Sequence, residues 1–458
     1  MKPLTVGQIR KRLGGELIQG SDQMIVKHGA YRIKQLKQPH TILFMRKNIV
    51  DWEKLKDYFP LVLVTDSEEG NNTHLADLTI IRVADANDAY WSFVDYYRSL
   101  LDLPVIAITG TSGKTTTKEM IRHILSARKK IASTNSSNNS RTAHLHYLLS
   151  IDEDTEAAVF ETAVGAPGDI LNAGRYFKPT IGIITNIGEH HLNYCTTLES
   201  YIEAKCELFT AVGETGSMIL NMDDPTIRKV YRNYKGKIIT VGINGAYDYA
   251  AKDVQFTDGG MRFYLDHGGE RHSIFVPGYG NHQVSNALAA IAAVHQIGIS
   301  LREAANGLKT FSPLNKQLQV QEGIKGSILI DDTWSLTTTS LQAALNVLNE
   351  IGRGKKKIAI IGTITDLGSW GYIIHKNAGD ILANSGIDVL VTIGKHARIM
   401  AQTVAKTRKK QKIMAFNNHI RAIEFIQDMI DDQSVVLVKG DMYSKSVNLV
   451  AASLKKKS

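Results

Sequence analysis

The stretch Ile106-Ala107-Ile108-Thr109-Gly110-Thr111-Ser112-Gly113-Lys114-Thr115-Thr116-Thr117 runs from an apolar strand through a glycine-bearing loop into a helix that opens with hydroxyls. That order builds a phosphate cradle. Small residues let backbone N–H groups approach oxyanions, and the following helix turns its positive dipole end toward them. Lys114 supplies a point charge, and Thr115 offers a hydroxyl to a phosphate-bound Mg²⁺. Gly110, Thr111, Ser112, Gly113, Lys114, Thr115 and Thr116 are therefore the expected cradle of a nucleoside triphosphate. The general P-loop pattern wants glycine where Ile108 stands, so what remains is the shorter G-T-x-G-K-T form. The alternative is an ordinary glycine turn with a solvated lysine, and Lys-Thr at the helix start counts against it.

Outward from this loop the chain alternates strands with helical stretches. Val105 to Thr109, Ala157 to Glu161, Ile181 to Asn186, Met218 to Asn221 and Lys237 to Val241 have the rhythm of a parallel sheet. A further series, Ser327 to Asp331, Lys357 to Ile361, Asp388 to Ile393 and Ser434 to Val438, is separated by amphipathic stretches such as Ser340 to Ile351 and reads as a Rossmann-like domain. Before Pro104 lies a mixed segment with helices expected near Val6 to Leu13 and Ala86 to Leu101. The expected fold class is thus α/β in three domains: a small α/β N-terminal domain at 1–103, a central P-loop-type parallel sheet with helices at 104–313 and a C-terminal Rossmann-like domain at 314–458.

Bulk composition narrows the setting. A chain of 458 residues exceeds what one hydrophobic core usually supports, and 43% hydrophobic with 22% charged residues is ordinary for a globular protein. Two cysteines, Cys195 and Cys206, without metal-type spacing suit a reducing compartment. No apolar run reaches membrane-spanning length and the N-terminus does not lead into a signal-peptide segment, so a cytoplasmic chain without a membrane span is expected. The net charge of +9 is carried largely by Lys355-Lys356-Lys357, Arg408-Lys409-Lys410 and Lys455-Lys456-Lys457. No aromatic residues interleave with these runs, so they read as solvated faces rather than a nucleic-acid surface.

In open parallel sheets ligands sit at the carboxyl ends of strands. Glu161 ends one such strand, and a hard cation bridging to phosphate would satisfy its charge; a lysine partner would do the same. Asn186 ends another and leads into Ile187-Gly188-Glu189-His190-His191-Leu192, a loop able to bring a histidine over the same edge. Lys205 follows on a helix beside Ile202, Leu208 and Phe209, a partly buried setting for a lysine.

With I-T-G-T-S-G-K-T-T-T-K-E-M at 108–120, N-I-G-E-H-H-L at 186–192, A-K-C-E-L-F at 204–209, L-N-M-D-D at 220–224 and G-N-H-Q-V-S-N-A-L-A-A-I-A at 280–292, the chain resembles the Mur ligase family. These are ATP-dependent amide-forming ligases of peptidoglycan assembly, and the likeness is strongest to the branch that adds D-alanyl-D-alanine to UDP-muramoyl-tripeptide. The resemblance implies that Lys114 binds the β/γ-phosphates, that Thr115 and Glu161 hold one Mg²⁺ and that His191 serves a second. It implies a carbamate formed with CO₂ on Lys205, adenine facing Asn286 with His282 nearby, and ribose within reach of Asp332. Asn138 and Asn139 match an Asn-Asn pair beside the substrate channel. The implied reaction activates a carboxylate as an acyl phosphate for attack by an amine, with small-molecule acid and amine as partners and a monomer as the working unit.

Departures concentrate where substrates bind. Ala30-Tyr31-Arg32-Ile33-Lys34 stands where the family type has Asp-Ser-Arg, and Asp331-Asp332-Thr333-Trp334-Ser335-Leu336-Thr337-Thr338 replaces D-D-S-Y-N-A-N-P. Asp441-Met442 replaces Ser-Arg, and Lys316-Gln317 replaces a Gly-Arg pair, with Lys316 a point charge that cannot act bidentately. Ser140-Arg141-Thr142 follows the asparagine pair, and Arg141 adds a positive charge to the acid's path. A ligase for a different acid and a nucleotide-binding protein without turnover are the competing expectations.

Overall fold

A computed structural model describes residues 1–45, 52–67, 75–188, 195, 197–407 and 411–456. The phosphate-loop strand Val105–Thr109, buried along its whole length, lies inside a nine-stranded sheet. Its neighbours are Ala157–Glu161 on one side and Ile181–Ile184 on the other, both parallel to it. Beyond Ala157–Glu161 comes the edge strand Ile131–Ser133, and beyond Ile181–Ile184 follow Ser217–Asn221 and Lys237–Ile243. Strand order therefore reverses at Val105–Thr109. From Val105–Thr109 the chain runs to the edge strand Ile131–Ser133, returns to Ala157–Glu161 and then crosses to Ile181–Ile184 on the other side, and a crevice opens above the carboxyl ends of these strands.

The expected parallel strands are all present, and the sheet also goes on into strands the sequence pattern did not indicate. Tyr249–Thr257 pairs parallel with Lys237–Ile243, and Gly260–His267 and Glu270–Pro277 complete an antiparallel meander. Its strands alternate buried and exposed residues, as a sheet wet on one face requires.

The C-terminal sheet runs in the order Gln319–Glu322, Ile328–Asp332, Ser434–Lys439, Lys356–Ile361, Val389–Ile393, Lys412–Phe416, parallel except for the first strand. The helix expected from Ser340 begins at Thr338, because Thr337 accepts a hydrogen bond from the backbone N–H of Ser340 and caps it. In the N-terminal sheet Glu16–Gln19 pairs antiparallel with Leu78–Arg82, followed in parallel by Leu61–Thr65, Thr41–Met45 and His28–Ala30. The helix Val6–Leu13 is fixed by a capping box from Thr5 and Gln8, and Asp85 caps Ala86–Ser99.

Apolar packing crosses between these three sheets. One core cluster joins Tyr201, Leu208 and Ile184 beside the central sheet to Leu341, Leu345 and Ile361 of the C-terminal one. Another joins Phe93 and Tyr97 of the N-terminal region to Phe160 and Phe177 of the central one. The crevice above the phosphate-loop strand is thus walled by two sheets.

Candidate active site

Gly110 and Gly113 make the loop possible. At Gly110, with φ 149°, a Cβ would stand 1.9 Å from Thr185 Oγ1; at Gly113, with φ 83°, it would stand 2.4 Å from Asn286 Oδ1. Any larger residue would push both neighbours out of a loop that they line. Asn186 then ties the loop down: its backbone oxygen accepts from Thr111 N at 3.0 Å, its side-chain oxygen from Ser112 N at 2.9 Å, and its amide donates to Ser112 O at 2.9 Å. The helix Lys114–Ser126 starts at Gly113 with no side-chain cap, so its first N–H groups are left for a ligand. Ser112 Oγ is buried there without a hydrogen-bond partner among the described residues.

A cavity of about 330 Å³ opens over this loop. Among its lining residues are Ser112, Lys114, Thr115, Glu161, Lys205, His282, Asn286 and Asp332, so most of the residues singled out from sequence meet in one place. Thr115 Oγ1 donates to Glu161 Oε2 at 2.8 Å, and Asn139 Nδ2 donates to Glu161 Oε1 at 2.9 Å. A Thr hydroxyl and a carboxylate side by side under a phosphate loop suit Mg²⁺, which takes its remaining ligands from water and phosphate oxygens. Among the described residues no group of three or more His, Cys, Asp or Glu forms a protein-only metal cage. His191, expected to serve a second ion, lies outside the described residues.

Lys114 Nζ donates to Gly110 O at 3.0 Å and Thr111 O at 3.3 Å, and desolvation lowers its pKa. Lys205, 1% exposed, is the more perturbed lysine: burial and then the nearby Lys114 charge hold its pKa well below the ordinary value. Its ammonium nitrogen stands 4.8 Å from the ring centre of Tyr201, whose hydroxyl lies 3.1 Å from Thr111 Oγ1. Tyr201 was not singled out from sequence. Its position four residues before Lys205, one helical turn away, was the available signal.

On the opposite wall, Asp332 and Lys439 end adjacent parallel strands in register and form a buried ion pair. Asp332 Oδ1 also accepts from Leu318 N at 3.3 Å, and burial raises the carboxyl's pKa against the pull of Lys439. Burial, with the Lys439 charge, pushes His282 down to about 4, so this imidazole is neutral at ordinary pH.

Three expected site residues already have partners within the protein. Thr116 reaches the cavity, but its hydroxyl donates to Gln317 Oε1 at 3.0 Å. Asn138 lines no part of the cavity, and its backbone oxygen accepts from the Tyr147 hydroxyl at 2.8 Å. Arg141 is ion-paired with Asp169 and lines a second cavity, of about 590 Å³, with Tyr31, Arg32, Tyr90, Trp91 and Tyr176. Lys316 is turned away to Asn448 Oδ1 at 2.9 Å and supplies no charge to the catalytic cavity. The residues missed from sequence are those that hold others: Thr185, whose hydroxyl donates to Ser112 O at 2.6 Å, and Tyr201.

Residues 108–294 match the family model described as Mur ligase middle domain, and residues 318–442 match the one described as Mur ligase, glutamate ligase domain. The chain is 29% identical to the UDP-N-acetylmuramoyl-tripeptide–D-alanyl-D-alanine ligase of Bacillus subtilis, over 81% of this chain and 80% of that one. To the enzyme of the same name from Buchnera aphidicola it is 30% identical, over 69% of this chain and 68% of that one. A crystal structure of MurF from Acinetobacter baumannii has a TM-score of 0.83 at 24% identity, with 99% of each chain covered.

Proposed function

The chain belongs to the Mur ligase family, and from that premise we propose that it is an ATP-dependent amide-forming ligase acting on a peptidoglycan precursor. The acid is of the kind its named relatives extend, a UDP-N-acetylmuramoyl-tripeptide, and the amine is of the D-alanyl-D-alanine kind. The observation that carries this reading is the meeting, in one crevice between two sheets, of an uncapped phosphate loop, the Thr115–Glu161 pair and a buried lysine.

In the first step a carboxylate oxygen of the acid attacks the γ-phosphorus of ATP and ADP leaves, giving an acyl phosphate. In the second the amine nitrogen attacks the acyl carbon, phosphate leaves with the bonding electrons, and the amine loses a proton as the amide forms. Both steps bring anions together, so positive charge must face the transferring phosphoryl group. Lys114 provides it by exchanging its loop carbonyls for phosphate oxygens. A divalent ion held by Thr115 Oγ1 and Glu161 supplies further neutralisation of the triphosphate when bound. Asn139 fixes the Glu161 carboxylate, and Asn186 keeps the loop in shape while nucleotide enters.

Lys205 fits the carbamate role. Burial and the nearby Lys114 charge lower the pKa of Lys205, so it gives up its proton more readily than an ordinary lysine; the free amine adds to CO₂ with loss of a proton, and the product is an anion beside Lys114. The acid's distal part takes the second cavity, whose aromatic rings and two arginines suit a planar anionic group; the Asn139 to Arg141 segment joins that cavity to the catalytic one. ATP consumption and two free cysteines fit a cytoplasmic setting.

The test is phosphate release with ATP, Mg²⁺, a UDP-N-acetylmuramoyl-tripeptide and D-alanyl-D-alanine. Release that requires both acid and amine, and falls at least about 100-fold in Lys114→Ala and Lys205→Ala, supports the reading. ATP bound without release under these conditions would instead favour a different acid or a non-catalytic role.

A further inference from the structure

Lys118 lies fully buried on the helix Lys114–Ser126, one turn beyond the phosphate-loop lysine, and lines no part of the catalytic cavity. Burying an ammonium is costly unless its three donors find acceptors. Here there are three. Lys118 Nζ donates to Thr134 O at 2.6 Å and to Ser136 O, and stands 2.8 Å from Glu119 Oε1.

Both carbonyls belong to the segment that follows the edge strand Ile131–Ser133 and runs to Asn139. Neither strand nor helix spans residues 134–140, so side chains must hold this segment in place. Ser136 adopts a left-handed conformation, φ 49°, that residues with a Cβ seldom take, and such strain persists only where contacts enforce it. The bond from Lys118 is one of them. Further along, Ser137 and Asn139 line the catalytic cavity, and Asn139 Nδ2 donates to Glu161 Oε1 at 2.9 Å. At the near end Thr134 Oγ1 accepts from Glu161 N at 2.9 Å. Glu161 is thus bonded at its backbone and at its carboxylate by one segment, and the lysine grips that segment.

We propose that Lys118 is a positioning residue for the Thr115–Glu161 metal pair: its ammonium ties residues 134–139 to the phosphate-loop helix and so keeps the Asn139 amide on the Glu161 carboxylate. The proposal rests on the ligase reading for the identity of metal and nucleotide. Thr115 lies on the same helix and bonds the other carboxylate oxygen, so one element carries the hydroxyl and, through Lys118 and Asn139, sets the carboxylate opposite it. An apolar side chain of the same length would fill the space but leave two carbonyls without this donor.

Lys118→Met makes that change, and Asn139→Ala removes the amide through which the lysine acts. The readout is the gain in ATP affinity that Mg²⁺ supplies, the ratio of the calorimetric Kd in EDTA to that in Mg²⁺, with no acid or amine present. Lys118→Met is expected to lower this gain at least about fivefold and to leave the Kd in EDTA within about twofold of wild type. In an Asn139→Ala background the same substitution is expected to lower the gain no further, because residues that act in series are not additive. Should the methionine variant not fold, Lys118→Gln, which keeps a donor but neither the charge nor the reach, carries the same cycle. An unchanged gain, a Kd that weakens equally in EDTA and in Mg²⁺, or a loss that persists in full in the Asn139→Ala background overturns the proposal and leaves Lys118 a support of the fold alone. A wild type whose ATP affinity Mg²⁺ does not raise overturns the metal reading of Thr115 and Glu161 as well, a result distinct from a wild type that gains and a variant that gains equally.

Discussion

His282 shows how a single residue carries the cost of a cavity. Its folded pKa of about 4 lies below its ordinary value of 6.5, with burial the first cause and the Lys439 charge the second. Above pH 6.5 the imidazole is neutral in both folded and unfolded chains and costs nothing. As pH falls toward 4 the unfolded chain takes up a proton that the folded one refuses, so stability drops through that window, by at most about 3 kcal/mol. A His282→Gln protein is expected to show a flatter dependence of stability on pH between 6.5 and about 4, read from urea unfolding at a series of pH values. An unchanged slope would mean that other groups set the acid sensitivity.

Among the elements, the paired strands Ile328–Asp332 and Ser434–Lys439 bear the clearest consequence. Their register sets Asp332 opposite Lys439, and the strands' buried length carries both charges to the inner wall of the cavity. Lys439 Nζ also donates to Ser335 O at 3.1 Å, which holds the turn after the first strand. Removing one partner of such a pair leaves the other charge buried and uncompensated. Lys439→Met is expected to destabilise the protein by about 3–5 kcal/mol. Asp332→Asn, which stays polar and uncharged, is expected to be no more costly, and comparison of their urea midpoints checks the pair.

The whole molecule is held by packing between its three regions, and Arg98 is one of the polar ties of the N-terminal one, beside the Tyr90–Tyr176 and Tyr97–Ile151 hydrogen bonds. Buried at the end of the helix Ala86–Ser99, its guanidinium donates to Phe177 O at 2.7 Å and Lys178 O at 3.2 Å in the central region and to Leu101 O at 2.7 Å. These carbonyls include the last ones of the helix Asp169–Phe177, which lack intrahelical partners. Arg98→Ala is expected to cost about 2–4 kcal/mol and to lower the urea midpoint, with weaker binding of the acid because one side of the second cavity belongs to each region. A variant with unchanged stability and acid affinity would show that the aromatic packing of Phe93, Tyr97, Phe160 and Phe177 suffices.

By itself the sequence determined the elements and chemistry that depend on near neighbours along the chain. The apolar run before Gly110, the hydroxyls after Lys114 and the strand endings at Glu161 are local patterns, and a strand, a loop and a helix follow from them without knowledge of the rest. The meander at Tyr249–Thr257, Gly260–His267 and Glu270–Pro277 was not legible, because its polar, half-exposed alternation resembles loop composition until it has a sheet edge to pair with. Only the tertiary structure decided that Thr116 spends its hydroxyl on Gln317, that Lys316 turns to Asn448 and that Arg141 faces a second cavity rather than the first. The direction of each of these side chains is set by a partner from another part of the chain, 201 residues away for Thr116 and 132 for Lys316, and no local pattern encodes such a partner.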